Sequence, residues 1–161
     1  MLATPLITRK GYRTLQAEKE HLWKVERAET TKKVTWAASL GDRSENADYQ
    51  YNKQKLRQID RRIRYITKAL ERLKVVDYAP EQEGKIFFGA FVSLENDAGK
   101  TLEFQIVGYD EIFQRKDAIS IDSPMARACI KKEVDDEVVV TVEGVQNTWY
   151  VTRIRYDKET L

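Results

Sequence analysis

The sequence predicts an α+β protein made of an antiparallel two-helix coiled-coil hairpin, residues 1–78, and a small α+β domain, residues 79–161. Two observations support this division. Apolar residues recur at helical spacing in the first half, whereas the second half contains short apolar segments separated by turn residues. Pro80 and Gly84 lie between the two patterns and mark the predicted domain boundary.

The second helix of the hairpin is predicted from a coiled-coil seam. Its apolar residues alternate steps of three and four, which is the spacing that faces a partner helix. Residues 8–40 are the candidate partner, because they contain no proline and one glycine near their start. Two arms of about 30 residues would place the segment that connects them roughly 45 Å from the base. The seam comprises Leu56, Ile59, Ile63, Ile66, Leu70 and Leu73.

Thr8 is the predicted N-cap of the first helix. A uniform register then predicts which residues face the second helix, although a register that turns Trp23 or Val25 inward stays open. Because the middle of this set is polar, we expect weaker packing there than at the base and near the tip. We also expect Trp36 and Leu40 to pack beneath the connecting segment, since aromatic side chains are usually buried. The facing set is Tyr12, Leu15, Lys19, Leu22, Glu26, Glu29, Lys33, Trp36 and Leu40.

A polar stretch, residues 41–49, connects the two helices and forms the tip of the predicted hairpin. Its Asp42 and Glu45 allow two interpretations. An aspartate followed three residues later by a glutamate is typical of a capping box. Two carboxylates at the end of a stalk can also bind Mg²⁺, or orient a water molecule, while a partner supplies the remaining ligands. An exposed tip has no dry cavity, so a catalytic role requires insertion into another protein's active site.

One face of the second helix is predicted to bind a polyanion. Residues 53–74 carry nine basic side chains against the two acidic residues Asp60 and Glu71. Like charges at these spacings repel by roughly 0.2–0.5 kcal/mol per pair, so a solvated face usually mixes charges. The pattern therefore favours contact with nucleic acid or phosphate over simple solvation. The candidates are Arg57, Arg61, Arg64, Lys68 and Arg72, with Lys53 and Lys55 nearer the tip.

Composition excludes several classes of protein. The chain has a single cysteine, Cys129, and a single histidine, His21, which excludes an internal disulfide and a Cys/His zinc site within one chain. No apolar run approaches the roughly 20 residues of a membrane span, and no secretory signal is recognisable. We therefore expect a cytoplasmic protein without a membrane partner. Residues 1–78 carry a net charge of +8 and residues 79–161 carry −6, so the first half suits nucleic acid and the second a basic or mixed protein surface.

The second domain is predicted from short strands and one helix. Residues 86–94 and 101–107 form strands joined by a turn at residues 96–99. A further strand lies at residues 119–121, and Ser123 caps a short helix that starts at Pro124 and runs to about Lys132. Two strands follow, residues 138–142 and 148–156, joined near Glu143 and Gly144.

Two stretches of the sequence resemble a known family. The first is KVTWAASLGDRSENADYQY, residues 33–51, and the second is ISIDSPMARA, residues 119–128. Both are similar to blocks of the bacterial transcript cleavage factors, the Gre family, and the resemblance covers essentially the whole chain. It implies a monomeric accessory factor, not an enzyme, that enters the secondary channel of bacterial RNA polymerase. There it would stimulate the polymerase's own cleavage of backtracked nascent RNA.

The resemblance also implies roles for particular residues. Asp42 and Glu45 match the acidic pair that helps to hold the second magnesium ion in the polymerase active centre, so magnesium is implied only in the complex. The basic face matches a patch associated with the displaced 3′ segment of the RNA. The globular domain is implied to be FKBP-like and to dock on the polymerase through Asp122, Ser123 and Pro124.

Other interpretations stay open beside this one. The protein could regulate the polymerase from the secondary channel without cleavage, act as a prolyl isomerase or chaperone, or bind RNA as a free-standing arm. Residues 121–124 could also serve only to cap a helix. One departure from the family pattern is Asp135, where glycine is expected. Since aspartate tolerates a left-handed turn, we expect this change to affect local stability more than function.

Overall fold

A computed structural model describes residues 3–41 and 45–158. The chain forms two compact units. One is the hairpin, Tyr12–Arg72, and the other combines residues 3–11 with residues 73–158. The predicted boundary after residue 78 therefore differs from the observed one. The cause is a pair of three-residue strands, β1 (Leu6–Thr8) and β2 (Lys74–Val76), which pair in parallel and attach both ends of the hairpin sequence to the globular unit.

The first arm of the hairpin is a helix with an irregular turn. It consists of α1 (Arg9–His21), a π-helical turn (Leu22–Glu26) and α2 (Arg27–Ala38). The amide of Gly11 donates to the Thr8 hydroxyl over 3.0 Å, so the predicted N-cap is confirmed. In the π-helical turn the amide of Arg27 donates to the carbonyl of Leu22, five residues earlier, which adds one residue to that turn.

The second arm is a single helix, α3 (Ala47–Arg72), and its predicted seam is confirmed. Buried positions recur every seven residues at Asn52, Ile59, Ile66 and Leu73. On the first arm the buried series is Leu15, Leu22, Thr30 and Ala37. The step of eight residues in that series coincides with the π-helical turn, which absorbs the additional residue and keeps the later positions facing α3.

This turn contradicts part of the predicted register. Trp36 is 55% exposed and Leu40 is 58% exposed, whereas Ala37 between them is fully buried. Glu29 and Lys33 are also exposed, and Thr30 is buried instead. The alternative register is wrong as well, because Trp23 and Val25 are exposed. A uniform heptad pattern cannot include the residue that the π-helical turn adds, so every position after it was displaced by one.

The globular unit is a five-stranded sheet covered on one face by a short helix. Its elements are β3 (Phe91–Glu95), β4 (Thr101–Val107), β5 (Ala118–Ser120), α4 (Pro124–Cys129), β6 (Glu137–Val142) and β7 (Val145–Arg155). The strand order is β5-β4-β3-β7-β6. The β4 and β5 strands are parallel, and all other neighbours are antiparallel. Two single-turn 3₁₀ helices, Pro80–Gln82 and Tyr109–Glu111, complete the unit.

The core of this unit is apolar and continuous. Val92, Leu94, Ile106, Val138 and Val151 are almost completely buried, and α4 contributes Ala126 and Cys129. Burial raises the pKa of the Cys129 thiol to about 12, so this cysteine stays protonated and acts as an apolar core residue.

The elements agree with the predicted ones in most places. The strand at residues 101–107 and the turn at residues 96–99 are confirmed, and Ser123 caps α4 through the amide of Ala126 over 3.2 Å. Two limits differ. Residues 86–90 form turns, so β3 starts at Phe91, and α4 ends at Cys129 because Lys131 adopts a φ of 73°. Asp135 has a φ of 75°, which confirms the left-handed turn expected there.

Candidate functional site

The tip of the hairpin is organised by Asn46. Its side-chain amide donates to the carbonyl of Ala37 in the last turn of α2 over 2.6 Å. Its side-chain oxygen accepts from the amide of Tyr49 over 3.0 Å, which is the N-cap interaction of α3. One side chain therefore caps the second helix and ties it to the end of the first.

Glu45 immediately precedes this cap. Its side chain is exposed, and no group among the described residues bonds to its carboxylate. Asp42, the other predicted acidic residue, lies outside the described residues. The capping-box interpretation of Asp42 and Glu45 is wrong, because α3 begins at Ala47 and its cap is Asn46. The carboxylate of Glu45 is consequently free of a structural role in starting the helix.

Within residues 3–41 and 45–158, no three His, Cys, Asp or Glu side chains converge in a way that could hold a metal ion. A single exposed carboxylate, alone or with a second from Asp42, leaves most positions around Mg²⁺ to water or to a partner. In the described part of the tip, the carboxylate of Glu45 is exposed.

Exposed apolar side chains surround the tip, and sequence analysis had placed two of them inside. Trp36 and Leu40 lie on the outer surface of the first arm, and Tyr51 is 68% exposed on the second. Exposed aromatic residues are typical of surfaces that bury on binding a partner. The heptad pattern gave no signal of this exposure, because the step of eight residues between Leu22 and Thr30 is seen only in the burial of the folded protein.

The basic face of α3 is exposed. Arg57, Arg61, Arg64 and Lys68 are all open to solvent, and no described carboxylate lies within ion-pair distance of them. Lys53 and Lys55 are half-buried.

The acidic residue nearest to this face is engaged elsewhere. Asp60 accepts from the guanidinium of Arg27 on the opposite arm over 2.8 Å, so its charge is neutralised by another residue. A second bridge of 2.7 Å joins Arg62 to Glu18. Asp60 is therefore paired across the hairpin, which leaves Glu71 as the other acidic residue of residues 53–74, and this segment keeps a large excess of positive charge.

The predicted docking residues lie where β5 leads into α4. The carboxylate of Asp122 accepts from the backbone amide of Thr4 over 2.9 Å and also from the Thr4 hydroxyl. These hydrogen bonds hold the pKa of the Asp122 carboxyl below its usual value. Ser123 is engaged in the cap of α4, and Pro124 is exposed at its first position. Two of the three residues thus have structural partners, which sequence analysis had left as an alternative.

Glu111 makes a second, similar contact that the sequence did not indicate. Its carboxylate accepts from the amide of Thr8 over 3.0 Å, from the Thr8 hydroxyl and from the amide of Gly108 over 2.9 Å. A side chain at Gly108 would lie 2.0 Å from the carbonyl oxygen of Leu6, so only glycine permits β1 to approach this closely. Thr4 and Thr8 therefore fasten the N-terminal segment to the globular unit.

A cavity of about 240 Å³ opens in the globular unit. Its lining includes the aromatic residues Tyr78, Phe88, Phe91 and Tyr156. Two ion pairs also line it, Arg9 with Asp77 and Arg115 with Asp117. A proline-binding pocket requires mainly apolar walls. The ion pairs make this cavity a poor match to the isomerase alternative.

Comparisons with known proteins identify the family of this chain. The N-terminal domain model of the transcription elongation factors GreA and GreB matches residues 5–75, and the GreA/GreB C-terminal model matches residues 81–156. The chain therefore belongs to the GreA/GreB family of transcription elongation factors.

Within the family, the relatives with high identity are GreB proteins. Transcription elongation factor GreB of Pseudomonas putida is 64% identical over 155 residues, covering 96% of both chains. GreB of Vibrio vulnificus is 59% identical over 98% of this chain and 99% of its own. The GreA factor homolog 1 (Gfh1) structure of Thermus thermophilus covers 93% of this chain and 97% of its own, at 25% identity and a TM-score of 0.41. In the described ranges, no helix is both long and apolar enough to cross a membrane.

Proposed function

We propose that this elongation factor enters the secondary channel of RNA polymerase and stimulates cleavage of backtracked nascent RNA, as an accessory protein without a complete active site of its own. The observation that carries the proposal is the free carboxylate of Glu45, immediately before a helix start that Asn46 ties to both arms. A group that is to act inside another enzyme must be exposed, correctly oriented and not used for capping. Glu45 is exposed and is not used for capping. The hydrogen bonds of Asn46 to both arms provide a means of orienting it.

The proposed chemistry assigns Asp42 and Glu45 as ligands that the polymerase lacks. A shared Mg²⁺ supplies charge stabilisation and a more acidic bound water when it is present. Asp42 and Glu45 would contribute carboxylate oxygens to it and would help to position a water molecule for attack on the phosphorus. Asn46 joins α2 and α3 through its hydrogen bonds. It therefore fixes the backbone next to Glu45, from which the Glu45 side chain extends.

The basic face of α3 is proposed to guide the displaced 3′ segment of the RNA. Lys53, Lys55, Arg57, Arg61, Arg64 and Lys68 form this surface. Each phosphate contact made with a single strand adds about 0.7 to the slope of log binding constant against log salt concentration. Replacing Arg57, Arg61, Arg64 and Lys68 by glutamine should therefore weaken RNA contact most at low salt. A matched control is the replacement of Lys131 and Lys132, two basic residues of the globular unit.

The globular unit is proposed to dock on the polymerase and to adopt an FKBP-like arrangement of its sheet and helix. Pro124 is the exposed member of the docking set, so its replacement tests contact directly. Asp122 accepts a hydrogen bond from Thr4. It would contribute to docking through the conformation of the loop between β5 and α4 as well as through its own charge. We propose that the factor acts as a monomer in the cytoplasm, where its polymerase works.

The test uses the purified full chain and an arrested elongation complex. The wild-type protein should shorten the RNA and make it extendable again. Glu45→Gln and Asp42→Asn should each slow cleavage by about two orders of magnitude, the scale on which one electrostatic group acts at a reaction centre. Binding to the polymerase should be nearly unchanged. Glu29→Gln, which removes an exposed carboxylate elsewhere on the first arm, is the control and should cleave normally.

The outcomes separate this proposal from its alternatives. Cleavage at the normal rate by both Glu45→Gln and Asp42→Asn would contradict the assigned role. If the wild-type protein binds and alters elongation but no cleavage occurs, it is a non-cleaving regulator that acts from the secondary channel. Salt-dependent binding to RNA with no effect on the elongation complex would identify an RNA-binding arm.

A further inference from the structure

The sheet of the globular unit has one edge that differs from the other. At one edge, β5 has three residues, and at the other edge β6 has six. Natural sheets usually protect their edges with short strands, proline, lysine or bulges, because unpaired backbone groups attract other chains. The β5 strand is protected by its length. The β6 strand is not.

The register of β6 identifies its unpaired backbone groups. It pairs with β7 as a two-residue hairpin, Val142 opposite Val145, and the amide of Val151 donates to the carbonyl of Asp136. In an antiparallel ladder the bonded pairs alternate, so the even-numbered residues of β6 bond to β7. The amides and carbonyls of Glu137, Val139 and Thr141 point outward. Among the described residues, none outside β7 donates to or accepts from them.

Several valines along this edge are exposed, beside the exposed polar side chains of Glu137 and Thr141. Val139 is 40% exposed, Val142 is 51% exposed, and Val145 beyond the turn is 61% exposed. Val134, just before the strand, is 46% exposed. Residues 133–145 contain no lysine, arginine or proline. The edge therefore combines unpaired backbone with uncovered aliphatic surface over about the length of one added strand.

The charges at its ends indicate which strand would fit. Carboxylates flank β6 on both sides, and Lys131 and Lys132 are the only basic residues close in sequence. In an antiparallel pair of two copies, residues 135–137 of one chain lie beside residues 142–144 of the other, so acidic groups face each other. A parallel pair aligns identical charges. Both arrangements are unfavourable. The acidic residues are Glu133, Asp135, Asp136, Glu137 and Glu143.

We propose that β6 binds an extended segment of another protein as a sixth strand, with aliphatic residues at alternate positions and lysine or arginine at both ends. Backbone hydrogen bonds to Glu137, Val139 and Thr141 supply the affinity. The flanking carboxylates select basic ends, whichever way the added strand runs. This surface does not depend on the hairpin tip or on transcript cleavage.

The first test uses a labelled peptide, Lys-Val-Thr-Val-Thr-Val-Arg, with the full-length protein. Saturable binding with a Kd below about 1 mM is expected by fluorescence anisotropy. Residue-resolved hydrogen exchange should show at least about tenfold more protection at the amides of residues 137, 139 and 141, while residues 138 and 140 change little. A peptide with glutamate at both ends, and one N-methylated at alternate amides, should both bind at least about tenfold more weakly.

Variants of the edge provide the second test. Val139→Lys places a cation on the strand and should weaken binding of the basic peptide by at least about tenfold without unfolding the sheet. Thr101→Lys, at an exposed position of the interior strand β4, is the control and should bind normally. Absence of binding, or binding without alternate-residue protection, would overturn the proposal. Protection of the same amides through concentration-dependent dimerisation would also overturn it, because the occupant would then be a second copy.

Discussion

The two compact units of this protein are stabilised in different ways. The globular unit encloses a continuous apolar core around Leu94, Ile106 and Val151. The hairpin has only a single line of buried positions, and their character changes along it. Leu15, Leu22 and Ile66 are large and aliphatic, whereas Ala37 and Asn52, near the tip, are small or polar. The Cα atoms of α2 and α3 accordingly approach within 8 Å far more often than those of α1 and α3 do.

This difference shows how an arm can hold its tip firmly while leaving its surface exposed. Small residues let the two backbones come close, but they bury little apolar area, so specific hydrogen bonds must supply the remaining order. Asn46 ties Ala37 to Tyr49, and the side chain of Asn52 donates to the carbonyl of Asp48 over 2.9 Å. Hydrogen bonds therefore hold the start of α3 to the end of α2, whereas hydrophobic burial stabilises the globular unit.

The largest expected effect comes from the core of the globular unit. Leu94→Ala should lower the free energy of unfolding by about 3–5 kcal/mol, because it leaves a cavity among fully buried neighbours. Leu22→Ala in the hairpin should cost less, about 2 kcal/mol, since fewer groups surround it. Urea unfolding combined with residue-resolved hydrogen exchange checks both. Equal loss of protection throughout the chain in both variants would show that the two units unfold together and would contradict the comparison.

The next effect distinguishes two adjacent residues of α2. Ala37→Leu should cost about 1–3 kcal/mol, because the fully buried position has no room for a larger side chain. Trp36→Ala should change stability by less than about 0.5 kcal/mol, as expected for an exposed side chain. Thermal unfolding of the two variants measures the difference. A larger loss of stability in Trp36→Ala than in Ala37→Leu would instead support the uniform heptad register.

Two variants of Asn46 distinguish its capping of α3 from its hydrogen bond to α2. Asn46→Ala removes both hydrogen bonds and should cost about 1–2 kcal/mol. Asn46→Asp keeps the acceptor for the amide of Tyr49 but loses the donor to Ala37, so it should cost less than half as much. If the tie orients the tip, both variants should reduce transcript cleavage although only one loses the cap. Normal cleavage by Asn46→Asp would limit Asn46 to a capping role.

A smaller effect depends on pH. The pKa of Asp122 is lowered in the folded protein by hydrogen bonds from Thr4, so this group stabilises the fold above the unfolded-state pKa of about 3.9. That stabilisation is lost as pH falls through the lower, folded-state pKa. Asp122→Asn should therefore cost about 0.5 kcal/mol at pH 7, after allowance for solvent screening, and progressively less as the pH falls through the folded-state pKa of Asp122. Asp97→Asn, in an exposed turn, is the control for nonspecific charge effects.

The smallest effect concerns the left-handed residue before β6. Asp135→Gly should raise the free energy of unfolding by at most about 0.5 kcal/mol, because relief at a φ of 75° is partly offset by the greater freedom of glycine in the unfolded chain. Chemical denaturation measures this change, and cleavage should be unaffected. Asp97→Gly, at a position without positive φ, should be destabilising instead.

Particular elements show what sequence analysis could and could not predict. The seam of α3, the strand Thr101–Val107 and the caps at Thr8 and Ser123 were correct, because each depends on residues close together in the chain. The register of α2 and the burial of Trp36 were wrong, since one added residue in a π-helical turn changes every later position. The roles of Asn46 and Glu111 were missed because their partners, Ala37 and Thr8, lie in other elements.

The sequence alone determined the hairpin, the exposed charges of α3 and the order of strands and turns, since periodicity and turn chemistry are local properties. Only the tertiary structure decided that Glu45 is spared from capping, that Asp60 is neutralised by Arg27, and that β6 has an open edge. These facts depend on which side chains and strands meet in space. These tertiary contacts are stabilised by packing and hydrogen bonds between residues that are far apart in the sequence. A local sequence pattern does not show which of these residues come into contact.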